Sequence, residues 1–141
     1  MARFNELLRS ELSAVETYNL ALKQAKHADF TTALQQLRDD HDRRVTGLRE
    51  KIRAVGGEPS EGSGVWGAWA KMVQAGADLL GDTTAISALE EGEDHGLKLY
   101  TGAVTDENSV VREYVTTVLL PKQQESHNLC RSLKRFVKAK G

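Results

Sequence analysis

The residues best placed to do chemistry are Glu11 and Glu93, which head two copies of one pattern: Glu, six residues, Tyr, two residues, Ala. The copies are Glu11–Tyr18–Ala21 and Glu93–Tyr100–Ala103. At roughly 100° per residue, Phe4, Leu8, Glu11, Val15, Tyr18 and Leu22 fall on one helical stripe. Ile86, Leu89, Glu93, Leu97, Tyr100 and Val104 make the matching stripe. Each carboxylate therefore points at the core, where an unpaired charge costs several kcal/mol. A third stripe, Leu34, Leu37, His41, Val45, Leu48 and Ile52, carries an imidazole at its centre. Carboxylates plus imidazole suit iron, manganese or zinc. The same residues also suit a buried polar cluster, with Arg44 and His41 neutralising the glutamates and Tyr18 and Tyr100 completing the hydrogen bonds. Both readings stand at this point.

The elements that must position these groups are helices. The first is expected from about Arg3 to Lys26, and the second, capped by Asp29, to about Val55. Gly56 to Gly64 (GGEPSEGSG) is the clearest break. Val65 to Leu80 reads as a short helix with Trp66, Trp69 and Val73 on one side. It is expected to cover the bundle; the alternative is a surface for self-association into a homodimer. The third long helix starts at Gly81-Asp82 and ends near Val104. After a turn at Thr105–Ser109, the fourth runs from about Val110 to Lys138. Pro121 lies inside it and is expected to kink it, freeing the Thr117 carbonyl. Short turns within each pair and about 25 residues between the pairs predict two antiparallel hairpins joined by one crossover. The fold class is all-α: one domain over residues 1–141, a four-helix bundle with a short crossover helix.

The Glu-x6-Tyr element resembles the first-helix motif of rubrerythrin-type proteins, within the ferritin-like superfamily. GEDHGLKLY with the downstream LLPKQQESHNLCRSL resembles a small bacterial branch of ferritin-like proteins. The resemblance spans Asn5 to about Leu133 and implies a ferritin-like bundle with Glu11 and Glu93 as metal ligands beside Tyr18 and Tyr100. It also implies metal binding tied to oxidative or general stress. Di-iron members add a Glu-x-x-His pair from each of the other two helices. Here those places read His41-x-x-Arg44 and Gln124-x-x-His127, with Gln123 the other candidate four residues before His127. The expected set is thus Glu11, His41, Glu93 and His127 as ligands, with Tyr18, Tyr100, Arg44 and Gln124 around them. Arg44 is expected beside Glu11 or Glu93, where its charge would repel a second metal ion. No catalytic residue is assigned, and the alternative to a metal protein is a non-enzymatic helical module.

The remaining features set bounds. With 19 basic and 20 acidic residues the net charge is −1, which predicts neither a nucleic-acid nor a membrane partner. Cys130 is the only cysteine, which fits a reducing compartment, and a cytoplasmic location is expected. Cys130 itself reads as a small core residue, His95 as exposed, and His27 as sitting at a helix end. The basic run Arg131, Lys134, Arg135, Lys138, Lys140 reads as a solvated helix terminus.

Overall fold

The computed structural model describes residues 2–25, 27–62 and 82–140, and these are helical almost throughout. We label the helices α1 (Ala2–Gln24), α2 (Ala28–Ala54), α3 (Asp82–Ala103), α4 (Ser109–Tyr114) and α5 (Leu120–Lys140). A π-helical segment, Val115–Leu119, joins α4 to α5 without interruption, so the two form one long fourth helix. The helix expected at Val65 to Leu80, with Trp66 and Trp69, lies outside the described residues.

The punctuation is local chemistry. At the end of α2, Gly56 adopts a positive φ of 81°, its N–H donates to the Arg53 carbonyl, and that of Gly57 donates to Ile52. This is the Schellman arrangement that glycine permits at low cost. Asn108 caps α4, its side-chain oxygen accepting from the N–H groups of Val110 and Val111. At the start of α2 the expected cap is displaced: His27 holds that position, without a side-chain cap bond, and Asp29 is exposed in the first turn. The His27 imidazole pairs instead with Asp82 Oδ2 at 2.7 Å, tying the first turn of α2 to the start of α3.

Packing pairs α1 with α2 and α3 with α5, the two antiparallel hairpins. Two apolar clusters fill the bundle. One gathers Tyr18, Phe30, Leu34, Ile86, Leu89 and Cys130; the other gathers Phe4, Leu8, Leu48, Ile52, Tyr100 and Val115. The late part of α1 therefore packs on the early part of α3, so these two helices are antiparallel. By the same comparison α2 and α3 are parallel. The chain leaves α2 at one end of the bundle and enters α3 at the other, which is why a long connection is needed.

The π segment answers a pattern in the sequence. Val111, Val115, Leu119 and Gln123 are all buried, at three successive steps of four. On a regular α-helix each such step drifts about 40°, turning the stripe away from the core. A π-turn absorbs an extra residue and restores the direction. The N–H of Leu120 reaches back to Val115, five residues earlier, immediately before Pro121. At Pro121, where a kink was expected, the winding changes: the π segment ends one residue before Leu120, and the proline follows.

Candidate functional site: a buried polar belt

Between the two apolar clusters lies a belt of polar side chains drawn from every long helix. His41 is fully buried on α2, and its two ring nitrogens face two different carboxylates. Nδ1 lies 2.9 Å from Glu11 Oε1, and Nε2 lies 2.6 Å from Glu93 Oε2. A carboxylate accepts and cannot donate, so this geometry asks for a proton on each nitrogen, an imidazolium. Burial alone would lower the pKa of His41, but Glu11 and Glu93 outweigh it and raise the pKa to about 9. Burial opposes ionisation of Glu93 as well. His41, with hydrogen bonds from Ser126 and Tyr18, nevertheless holds its pKa below the ordinary value.

Glu93 is the better-satisfied carboxylate. Its Oε2 also accepts from the Tyr18 hydroxyl at 2.7 Å, and its Oε1 accepts from Ser126 Oγ at 2.6 Å and Gln123 Nε2 at 3.0 Å. Gln123 Nε2 also donates to the Glu93 main-chain carbonyl at 2.8 Å. That reach depends on Gly96: a Cβ there would sit 2.7 Å from Gln123 Nε2. Glu11 is less well supplied. Beyond His41, its Oε2 has Arg44 at 3.5 Å. Arg44 is turned mainly to other acceptors, donating to Gln123 Oε1, Asp40 Oδ2, Ser126 Oγ and the Lys122 carbonyl.

The two Glu-x6-Tyr copies thus meet about a pseudo-two-fold axis, the tyrosine of one beside the glutamate of the other. Tyr18 donates to Glu93. Tyr100 is equally buried, and its hydroxyl lies within reach of Glu11 and Arg44 without the well-aligned bond that Tyr18 makes. Burial raises the pKa of both phenols well above the ordinary value, with Glu93 and Glu11 respectively adding to it. Cys130, buried beside Tyr18, has its thiol pushed up mainly by burial, which disfavours the thiolate.

The sequence placed Glu11, His41, Glu93, Tyr18, Tyr100 and Arg44 together, and in the structure they are together. Two expected members are not. Gln124 is exposed, and Gln123 takes the inward place, because the π segment advances the register of α5. His127 is buried just below the surface and pairs with Asp94, and the carboxylate contacts of His41 go to Glu11 and Glu93. Ser126 and Gly96 went unrecognised. The signal for Ser126 was its spacing of three and four from Gln123 and Cys130, which extends the buried stripe.

The ligand set does not fit a metal as it stands. An imidazole ligates through a lone pair; here both His41 nitrogens are spent on carboxylates, and the Arg44 cation stands beside them. Among the described residues no group of three or more His, Cys, Asp or Glu is arranged to hold a metal ion. None of their helices is long and apolar enough to cross a membrane. Neither a curated protein nor a solved structure matches the chain. A family model does match over residues 1–106, which takes in Glu11, His41, Arg44, Glu93 and both tyrosines; the chain belongs to the family described as a domain of unknown function, DUF2383.

Proposed function

We propose that this chain is a non-enzymatic helical module whose centre is an ion-paired register lock. The lock stands where the ferritin-like di-iron proteins it resembles hold their metal. The observation that carries this reading is His41 bridging Glu11 and Glu93 through both ring nitrogens. Three helices meet at one imidazole, so sliding any of them by a turn, about 5.4 Å, would separate charges that burial makes costly to leave alone. Such a device sets helix register more than it adds stability. The outer helical faces are then left as the working surface of the module.

The test compares metal with proton. Adding Fe(II), Mn(II) or Zn(II) leaves the melting temperature unchanged, and protein made with all three available is metal-free by elemental analysis. In nitrogen-15 NMR at neutral pH, His41 shows two protonated ring nitrogens. A metal-dependent rise in melting temperature, absent from the Glu11→Ala/Glu93→Ala variant, would instead establish a metal-binding protein and overturn the register lock.

A further inference from the structure

The loop that leaves α2 is clamped against α1 by side chains that the belt does not use. Asn5 Nδ2 donates to the Glu58 carbonyl at 3.1 Å, and Asn5 Oδ1 accepts from the Ser60 N–H at 2.8 Å. One turn further along α1, Arg9 donates to Ser60 Oγ at 3.1 Å. Between this loop and the last turns of α2 lies a cavity of about 510 Å³, into which Arg49, Arg53 and Ser60 bring their side chains. Arg49 and Arg53 stand one turn apart on one helix face, where like charges repel. Neither they nor Arg9 is ion-paired among the described residues.

Cations gathered on a fixed frame without a counter-ion call for an anion. Glu58 and Glu61 also line the cavity, beyond ion-pair distance, and against the three arginines they leave the corner with positive charge in excess. The negative end of the α2 dipole would oppose an anion, but it is covered: the Ile52 and Arg53 carbonyls accept from Gly57 and Gly56. The Ser60 oxygen accepts from Arg9, while its own proton has no acceptor among the described residues and is free to be donated. Two guanidinium forks and a hydroxyl suit an anion whose several oxygens can be shared among them, and they favour a dianion over chloride. We propose that Arg49, Arg53 and Ser60, with Arg9 holding the hydroxyl, form a binding site for a phosphate group. The site shares no residue with the belt, so it stands or falls apart from the register lock.

Titration of the folded chain with inorganic phosphate at constant ionic strength, with arginine labelled in nitrogen-15, tests it. The Nε–H signals of Arg49 and Arg53 should shift and saturate, and those of the exposed Arg43 and Arg135 should not. Sodium chloride in place of phosphate should move none of them. Arg49→Gln or Arg53→Gln should weaken phosphate binding about tenfold, the worth of one charge-assisted hydrogen bond, and Ser60→Ala less. Each variant should melt close to the parent chain, since these side chains lie at the surface or only half-buried. Vesicles containing phosphatidic acid present the same group on a surface. Retention of the chain on them, lost in Arg49→Gln, would assign the site to a lipid headgroup; no retention would assign it to a soluble molecule. Equal shifts at every arginine, silence at Arg49 and Arg53, or phosphate binding that survives in Arg49→Gln/Arg53→Gln would overturn the site.

Discussion

Glu93 and Glu11 occupy equivalent places in the repeated motif, yet they live in different surroundings. Glu93 is met by four side-chain donors at 3.0 Å or less. Glu11 shares one imidazole nitrogen across both oxygens and has a guanidinium at 3.5 Å. The difference comes from the partner helices. The fourth helix brings Gln123 and Ser126 against Glu93, whereas α2 offers Glu11 only His41 and an Arg44 already committed elsewhere. A sequence repeat therefore specifies where the two carboxylates stand, and non-repeated neighbours decide how each is neutralised. His41 is the point where the halves meet, so it is the place to break the comparison.

The largest effect is expected from His41→Ala. It leaves two buried carboxylates facing one another without their shared cation, and removing one partner of a buried pair costs on the order of 3–5 kcal/mol. Urea unfolding measures it. A loss below about 1 kcal/mol, no more than an exposed ion pair is worth, would show that the belt is solvated and the two halves are independent.

Titration probes the same contact without mutation. The folded pKa of His41, about 9, lies above the ordinary 6.5. Its contribution is complete below pH 6.5 and is lost as pH rises through about 9. The shift corresponds to roughly 3 kcal/mol. Glu93 has the opposite sign: its folded pKa lies below the ordinary 4.5, so its contribution is present above pH 4.5 and lost as pH falls. From these two groups, stability should peak between about pH 4.5 and 6.5, the ordinary values of the two groups. In His41→Ala the alkaline limb should flatten. An alkaline limb that survives the mutation would assign the titration elsewhere.

The asymmetry itself is sharpened by Glu93→Gln against Glu11→Gln. An amide at Glu93 turns its NH2 toward donors, and stranding them should cost roughly 2–3 kcal/mol. At Glu11 fewer donors are stranded, and a loss nearer to about 1 kcal/mol is expected. Equal losses would mean that the crowding around Glu93 carries no energetic weight.

The sequence was most legible where period and chemistry agreed. Glu11, Glu93 and His41 sit at the centres of regular stripes, so a 100° wheel sufficed to bring them together. Two antiparallel hairpins followed from loop length, and the breaker at Gly56 from the backbone freedom of glycine. Legibility failed where the helix ceased to be regular. The Glu-x-x-His template points to Gln124, with Gln123 the other candidate, and counting outward from Pro121 on an α-helical wheel puts His127 at the edge of the stripe. The spacing of four from Val111 to Gln123 held the information, but only a π-turn makes it consistent. A hydrogen-bond partner such as Ser126, which meets Glu93 and Arg44, depends on the approach of two helices, which no single stripe encodes.

That failure supplies the smallest and most discriminating prediction. Gln123 and Gln124 are adjacent and chemically identical, so propensity and composition cannot tell them apart; only register can. Gln123→Ala removes the donor to Glu93 and the acceptor of Arg44, and should cost about 1–3 kcal/mol, the range for stranding buried polar groups. Gln124→Ala alters an exposed side chain and should stay within about 0.5 kcal/mol. Gly96→Ala supplies the steric counterpart, since its Cβ would press on the Gln123 amide and not on Gln124. If Gln124→Ala proved the costlier of the pair, the fourth helix would be wound regularly through Pro121. The belt would then be built on a different face of α5, and Glu93 would lose the donors that set it apart from Glu11.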